Sequence, residues 1–201
     1  MVAIIDYGMG NVASVQKALN FLNIPNLITN DAEKIKEATC IVLPGVGSFL
    51  QGMKNLRERK LDVILTDEVI NKKKKFIGIC LGMQLIMENG TEPEPCKGLG
   101  WIKGSVVKFE NTTLRIPHMG WNNITIVNNT FYKEIEKQDF YFIHSYYVKP
   151  EDKNVIAATV NYGSDITASI QKDNIFATQF HPEKSQSAGL SILKTFFTSL
   201  A

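Results

Sequence analysis

A cysteine in a glycine-flanked turn is the residue best placed to do chemistry in this chain. Residues 76–79 form a short apolar run that predicts a buried strand, and apolar residues at helical spacing follow. Cys80 therefore lies where a strand turns into a helix, between Gly78 and Gly82, which permit positive φ angles and close backbone contacts. The first amide groups of a helix favour a thiolate and can hold an oxyanion. We predict that Cys80 is a nucleophile; a buried structural cysteine is the alternative.

A histidine near the end of the sequence could supply the acid and base that such a nucleophile needs. His181 follows an apolar run and precedes Pro182 and Glu183. Imidazole can accept a thiol proton and protonate a leaving amine near neutral pH, and Glu183 could orient the ring and stabilise its charged form. Cys80 and His181 both end predicted strands, so they meet at one sheet edge if those strands are parallel neighbours. A surface histidine is the alternative.

Two glycine-containing turns follow predicted strands. Gly8, Gly10 and Ala13 form a G-x-G-x-x-A pattern, with Asp31 about where a ribose-binding acid lies in dinucleotide-binding folds. Residues 44–47 (Pro-Gly-Val-Gly) follow another strand and should expose several amide N–H groups. Ligands bind at such loops in doubly wound sheets, although an ordinary turn is equally compatible with this sequence.

The order of predicted elements indicates one α/β domain over residues 1–201. Its first half alternates strands (2–5, 26–29, 40–43, 76–79) with helices (12–22, 31–38, 49–59, 61–71), which predicts a parallel sheet. Its second half contains strands at 106–109, 124–127, 141–148, 155–160, 168–171 and 175–180, then a helix that opens at Ser185. We expect a central, mostly parallel sheet flanked by helices, with an antiparallel β extension in the second half.

Composition excludes several other classes of protein. The 201 residues carry a net charge of +2, which gives no reason to expect nucleic-acid or membrane binding. No apolar run approaches membrane-spanning length and no basic leader opens the sequence. Cys40, Cys80 and Cys96 lack C-x-x-C spacing, which argues against a disulfide framework and a zinc site. We expect a soluble, cytoplasmic protein without a metal or organic cofactor.

Five separated motifs, in order, resemble one enzyme family. Residues 78–84, with the distant 181–183, are similar to the triad class of glutamine amidotransferases, and residues 44–47 are similar to its oxyanion loop. Three further stretches narrow the resemblance to the glutaminase subunits of imidazole glycerol phosphate synthase: residues 6–11 (DYGMGN), 117–122 (PHMGWN) and 142–146 (FIHSY). The resemblance extends over essentially the whole chain. It argues against a dinucleotide site, because that family uses the first glycine turn without a nucleotide.

The resemblance implies a mechanism and a set of site residues. Cys80 would attack the side-chain amide of glutamine, His181 would pass the thiol proton to departing ammonia, and Glu183 would steady His181. The resulting thioester would be hydrolysed to glutamate. The implied oxyanion donors are the amides of Val46, Gly47 and Leu81, and the implied substrate-binding positions are Gly47, Gln84, Ser145 and Tyr146.

The resemblance also implies a partner protein. In family members the ammonia passes to a (β/α)8-barrel cyclase subunit in histidine biosynthesis. Ammonia released into water would mostly become ammonium, which is not a nucleophile, so a closed heterodimer interface makes chemical sense. The positions expected to face the barrel are Asn11, Met119, Trp121, Tyr141 and Lys184. Trp121 could instead be a core aromatic residue, and His118 and His144 are expected to be structural or interface residues.

Two other functions stay open at this point. Paralogues with the same fold and triad feed ammonia to barrel partners for other acceptors, such as bacterial surface sugars. Trp101 is larger than the aliphatic residue expected in the histidine branch, which favours such a paralogue. A nucleotide- or partner-binding α/β protein without catalysis is the second alternative, and the intact set of Cys80, His181 and Glu183 argues against it.

Overall fold

The computed structural model describes residues 1–110, 113–128, 130–132, 135 and 139–199, and it is built around a mixed nine-stranded sheet. One half of this sheet is parallel, in the order β2-β1-β3-β4. Its strands are β1 (Val2–Ile5), β2 (Asn26–Thr29), β3 (Cys40–Leu43) and β4 (Lys75–Ile79). The helices between them are α1 (Val12–Phe21), α2 (Ala32–Glu37), α3 (Phe49–Glu58) and α4 (Leu61–Thr66). The predicted α/β alternation is confirmed.

The rest of the chain extends this sheet and adds a second one. The short helix α5 (Leu81–Leu85) follows β4, and α6 (Gln186–Thr198) ends the described part. The remaining strands are β5 (Met87–Gly90), β6 (Cys96–Lys97), β7 (Ile102–Lys108), β8 (His118–Ile126), β9 (Asp139–His144), β10 (Tyr146–Pro150), β11 (Ile156–Asn161), β12 (Asp165–Lys172) and β13 (Ile175–Thr178). The large sheet continues as β4-β13-β12-β11-β8-β9, and a four-stranded sheet has the order β10-β7-β5-β6.

The apolar runs of the parallel strands are continuous because helices cover both faces of the sheet. Ile4 of β1 belongs to the core cluster that contains residues of α1 and α6. Its neighbour Ile5 belongs to the cluster on the other face, with residues of α3, α4 and α5. Since successive side chains of a strand point to opposite faces, neighbouring apolar residues pack into the core layers on opposite sides of the sheet. The result is a three-layer arrangement.

Two predicted elements are divided in the structure. Residues 141–148, predicted as one strand, form β9 and β10, because the chain leaves the large sheet at Ser145 and enters the small one. The helix predicted over 61–71 ends as an α-helix at Thr66 and continues as a π-helical turn over Asp67–Asn71. An apolar pattern alone could not separate these cases, because both halves of each segment are partly buried.

The pairing of β13 with β4 positions the candidate site. The two strands are parallel neighbours, with Thr178 opposite Ile79. The residues that follow them, Cys80 and His181, therefore lie at the same edge of the sheet, as the sequence led us to expect. Among the described residues, none of the helices combines the length and apolar character needed to cross a bilayer.

Candidate active site

Cys80 occupies a strained turn between β4 and α5. Its backbone has φ 53° and ψ −107°, a combination that costs on the order of 1–3 kcal/mol for a residue with a side chain. Hydrogen bonds hold this turn: the Cys80 amide donates to the Thr178 carbonyl at 2.7 Å. The Cys80 carbonyl accepts from the amides of Met83 (3.0 Å) and Gln84 (3.2 Å). The surrounding sheet thus keeps the thiol at the strand end, as in the nucleophile elbows of hydrolases.

The flanking glycines serve close packing, and the positive φ falls on the cysteine itself. A Cβ atom on Gly82 would lie 1.8 Å from the carbonyl oxygen of Leu43, and one on Gly78 would lie 2.8 Å from that of Gly82. Neither contact is possible for a real side chain, because both obstacles are backbone atoms. Gly78 and Gly82 are therefore required for close backbone packing, and neither of them has a positive φ angle.

His181 and Glu183 form a buried pair directly behind the cysteine. The Nδ1–H of His181 donates to Glu183 Oε1 at 2.8 Å, and each side chain is only 2 % exposed. A carboxylate is a natural acceptor, so Nε2 is the ring nitrogen left for chemistry. In the described part of the chain, Nε2 has no hydrogen bond of good geometry. Burial lowers the pKa of His181, but the nearby Cys80 side chain and Glu183 outweigh burial and raise that pKa to about 10.

The sulfur atom has two further polar neighbours. Cys80 Sγ lies 3.9 Å from the carbonyl oxygen of Ile143 and 3.6 Å from the side-chain nitrogen of Gln179. Gln179 directly follows β13, and no pattern in the sequence pointed to it.

A cavity of about 210 Å³ opens beside Cys80. The predicted oxyanion and substrate-binding residues all line it, together with some residues that were not assigned to it: Val46, Gly47, Cys80, Leu81, Gln84, Glu92, Ile143, His144, Ser145, Tyr146 and Lys184. The structure therefore brings residues of three separate sequence motifs, 44–47, 78–84 and 142–146, together at one pocket. Because the chain breaks between β9 and β10, Ser145 is able to line this pocket.

Glu92 is the unpredicted charged residue of the cavity. Its Oε2 accepts the amide N–H of Phe49 at 3.3 Å, at the start of α3. Burial raises the pKa of Glu92, and this hydrogen bond partly opposes the rise. The surrounding stretch is polar and non-periodic, so no pattern in the sequence pointed to Glu92.

One predicted oxyanion donor is occupied in this structure. The amide of Leu81 donates to the carbonyl oxygen of Gly45 at 3.3 Å. Val46 is 41 % exposed and Gly47 has φ 106°, so the loop around them is open toward the cavity. The Leu81 amide can receive an oxyanion only after the Gly45 carbonyl turns away.

The first glycine turn packs against this loop. A Cβ atom on Gly10 would lie 3.3 Å from backbone atoms of Pro44 and Gly45. Asp31, the candidate ribose ligand, instead caps α2, because its carboxylate accepts the amides of Glu33 and Lys34. Asp31 is therefore engaged elsewhere and does not serve as the acidic residue that a dinucleotide site would need. Among the described residues, no group of three or more His, Cys, Asp and Glu side chains could hold a metal ion.

Four of the five predicted partner-facing residues form one surface, here called the aromatic patch: Met119, Trp121, Tyr141 and Lys184. Met119 is 58 % exposed and Trp121 is 50 % exposed, so Trp121 is not a core residue. The Trp121 and Tyr141 rings pack edge to face at 6.1 Å, and Lys184 Nζ lies 5.9 Å from the Tyr141 ring centre. Asn11 caps α1 through Ser14 N–H, and α1 contacts the turn over Pro182–Lys184.

His118 and His144 are a buried pair. Their ring nitrogens, Nδ1 of His118 and Nε2 of His144, lie 3.0 Å apart. His144 Nδ1 donates to the carbonyl oxygen of Tyr146 at 2.8 Å, and Asn122 donates to His118 Nε2 at 3.2 Å. Burial lowers the pKa of His118 to about 4 and, as the largest cause, lowers that of His144 to about 3. Both are therefore neutral structural residues at neutral pH.

Trp101 lies away from the sheet edge that carries Cys80 and His181. Its ring packs edge to face on Phe76 at 5.0 Å, and its Nε1 donates to Thr66 Oγ1 at 3.1 Å. Phe76 is near the start of β4, whereas Cys80 follows its end. The size of Trp101 is explained by this core contact, and it carries no information about the ammonia acceptor.

Comparisons with known proteins agree with the resemblance in the sequence. The family described as "Glutamine amidotransferase class-I" matches residues 3–200. Imidazole glycerol phosphate synthase subunit HisH 1 of Campylobacter jejuni (strain RM1221) is 49 % identical, over 98 % of both chains. HisH 2 and HisH 1 of Methanococcus maripaludis are 47 % and 46 % identical, with the same coverage. A solved glutamine amidotransferase shares the fold at 18 % identity, with a TM-score of 0.78 over 100 % of this chain and 98 % of that one.

Proposed function

The chain belongs to the class-I glutamine amidotransferases and, within them, to the glutaminase subunits of imidazole glycerol phosphate synthase; we propose that Cys80, His181 and Glu183 carry its reaction. The single observation that supports this most is the strained Cys80 turn at the end of β4. It stands beside the His181–Glu183 pair that follows β13, the parallel neighbour of β4. The cavity next to the sulfur offers a place for glutamine.

In the first half of the reaction, the Cys80 thiolate attacks the side-chain carbonyl carbon of glutamine. The carbonyl electrons move to oxygen, and they return when the C–N bond breaks. His181 Nε2–H gives its proton to the leaving nitrogen, so ammonia departs and a thioester remains. The raised pKa of His181 supports this assignment, because the ring then holds the proton that the leaving nitrogen needs.

In the second half, water cleaves the thioester. Neutral His181 takes a proton from the water, and the oxygen attacks the thioester carbon. The C–S bond then breaks, which releases glutamate and restores the thiolate and the imidazolium. Glu183 accepts the Nδ1–H throughout, so it stabilises the charged ring and fixes which nitrogen faces the substrate.

The oxyanion loop should limit this chemistry when the chain is alone. Because the Leu81 amide is bonded to the Gly45 carbonyl, the developing oxyanion lacks this donor until residues 44–47 rearrange. We infer weak glutaminase activity in isolation and stronger activity when a ligand-loaded partner favours the rearranged loop. Such coupling is a linkage between two sites, so glutamine should in turn tighten the partner's hold on its ligand.

The charges around the cavity fit glutamine. Glu92 offers a carboxylate to the α-ammonium group, and Lys184 offers an ammonium to the α-carboxylate. Both hydrogens of the Gln84 amide are already used within the protein, on Tyr146 and Gln179. Gln84 can therefore accept a hydrogen bond from the substrate through its oxygen but cannot donate one.

The partner that we propose is the (β/α)8-barrel cyclase subunit, docked on the aromatic patch. The relatives are named as subunits of a synthase, so each belongs to a larger assembly. Lys184 lines the cavity and also contacts Tyr141 of the patch, so a partner seated there lies next to the place where ammonia is formed. This adjacency lets ammonia pass before water protonates it.

Substitution of the nucleophile tests this function. We expect Cys80→Ala to abolish glutamine-dependent synthesis by the complex and to leave synthesis from added ammonia intact. Cys96→Ala, at a partly exposed thiol outside the cavity, is the matched control and should keep both activities. Loss of ammonia-dependent synthesis in an assembled Cys80→Ala complex would contradict a role confined to ammonia release.

A second candidate function is delivery of ammonia to a barrel partner that makes a different product. The observation behind it is that M. maripaludis has two relatives of this chain, both named as subunits of imidazole glycerol phosphate synthase. The acceptor is a property of the partner, and the glutaminase site would be the same in both cases. If this alternative holds, Cys80 reacts with a glutamine-like electrophile, yet the histidine-pathway cyclase does not stimulate the chain.

A further inference from the structure

A row of hydrogen bonds fixes which way the amides around the nucleophile point. It starts at the carbonyl oxygen of Tyr146, which can only accept. Gln84 must turn its nitrogen toward that oxygen, at 3.0 Å. The second hydrogen of the same nitrogen reaches Gln179 Oε1 at 3.1 Å. Gln179 is thereby left with its nitrogen toward Cys80 Sγ, at 3.6 Å. The orientation of both amides follows from one backbone acceptor, so the donor faces the sulfur.

The sulfur needs such a donor only when it is ionised. As a thiol, Cys80 can donate to the carbonyl oxygen of Ile143, 3.9 Å away. As a thiolate, it faces the negative end of that carbonyl, and His181 would otherwise be its only favourable polar neighbour among the described contacts of Sγ. Gln179 is 0 % exposed, so its hydrogen bond acts without competition from water.

We propose that Gln179 is a further catalytic residue of the glutaminase reaction: its side-chain amide, held by Gln84, donates a hydrogen bond to the Cys80 thiolate. The proposal rests on the catalytic role of Cys80 proposed above. Gln179 acts on the ionised form of Cys80. Gln84 orients the Gln179 amide, in addition to any contact that it makes with the substrate. Packing alone would require only a side chain of similar volume at position 179.

The test measures how fast iodoacetamide alkylates Cys80 at a series of pH values, with Cys96 in the same protein as an internal reference. Gln179→Met keeps the volume and removes the donor. We expect a roughly tenfold slower reaction of Cys80 at pH 7, the size of one hydrogen bond to a charged group, and an upward shift of the pH midpoint. Gln179→Glu, which places an acceptor against the thiolate, should react more slowly still. A packing role would leave the midpoint of every stably folded variant unchanged.

Two further variants keep the test decisive. Gln84→Met leaves Gln179 in place but frees it to turn, so it should give a smaller shift in the same direction, even if the Gln179 variants fold poorly. Gln171→Met removes an amide from β12, paired with Phe176 away from the site, and should change nothing. The titratable side chains around the sulfur stay the same in all these variants: Tyr7, Glu92, His144, Tyr146, His181 and Lys184.

The outcomes separate this inference from the proposed function. If Cys80 of the unaltered protein is no more reactive than Cys96, the proposed function fails. If Cys80 is reactive and its pH midpoint is the same in folded Gln179→Met and Gln84→Met, the role of Gln179 is refuted and the glutaminase stands. A Gln179→Glu variant with a raised KM for glutamine and an unchanged kcat would also refute it, because a thiolate donor acts on the chemical step.

Discussion

The buried His118–His144 pair should make the fold sensitive to mild acid. Both rings are neutral in the folded protein, and burial holds the pKa of His144 near 3 against an ordinary value near 6.5. For a base with a lowered pKa, stability is complete above 6.5. It is lost as the pH falls from 6.5 toward 3, because only the unfolded chain takes up the proton.

The expected size follows from the shift. At pH 5 the unfolded His144 is almost fully protonated and the folded one is not, which costs about 2 kcal/mol relative to pH 7, at about 1.4 kcal/mol per pKa unit. His118 acts in the same direction, and its side chain is also buried. His181 acts the other way, since its raised pKa contributes stability that is lost as the pH rises from 6.5 toward 10.

Urea unfolding at pH 7, 6 and 5 measures this loss, with His144→Gln as the comparison. Glutamine can still donate to the Tyr146 carbonyl and accept from His118, but it does not titrate. We expect the unaltered protein to lose about 2 kcal/mol more than His144→Gln between pH 7 and pH 5. The contribution of His181 is common to both proteins and cancels. Equal losses in the two proteins would refute the assignment of His144 as a neutral buried ring.

Four other substitutions have definite expected outcomes. Glu183→Gln keeps a hydrogen-bond acceptor but removes the charge that helps to raise the pKa of His181, so kcat for glutamine should fall by about 10²-fold or more without loss of folding. Gly82→Ala forces a Cβ atom against the Leu43 carbonyl, so the free energy of unfolding should fall by about 3 kcal/mol or more, and the thermal midpoint should fall with it. Gly100→Ala adds a Cβ atom that meets open space, so it should cost only about 1 kcal/mol. Trp121→Ala should change stability by less than about 0.5 kcal/mol, since the ring is half exposed, but should weaken cyclase binding in titration calorimetry by about 2 kcal/mol.

Local signals in the sequence were enough to predict the catalytic edge. Apolar runs identified β4 and β13 as buried strands, and parallel pairing then placed Cys80 and His181 together. The glycines around Cys80 also gave a correct signal, because the turn packs its backbone against Leu43. These features depend on residue type within a few positions, which a single sequence displays.

The remaining features depend on contacts between distant segments. Gln179 meets Gln84 and Cys80 only because two strands and a helix converge, and Glu92 reaches the cavity from a polar loop. The state of the oxyanion loop is also invisible in the sequence, since the Leu81–Gly45 hydrogen bond is one of several that the same residues could make. Ser145 lies between β9 and β10 because the chain changes sheets there, and no local pattern marks that point.

Glutamate release from glutamine is the direct measure of whether Cys80 is the nucleophile and whether the partner controls it. It should be measured for the chain alone, and for the chain with the histidine-pathway cyclase and its ribotide substrate. We expect slow release in isolation and strong stimulation by the loaded cyclase, with no release from Cys80→Ala in either condition. Stimulated release that persists in Cys80→Ala would contradict this expectation.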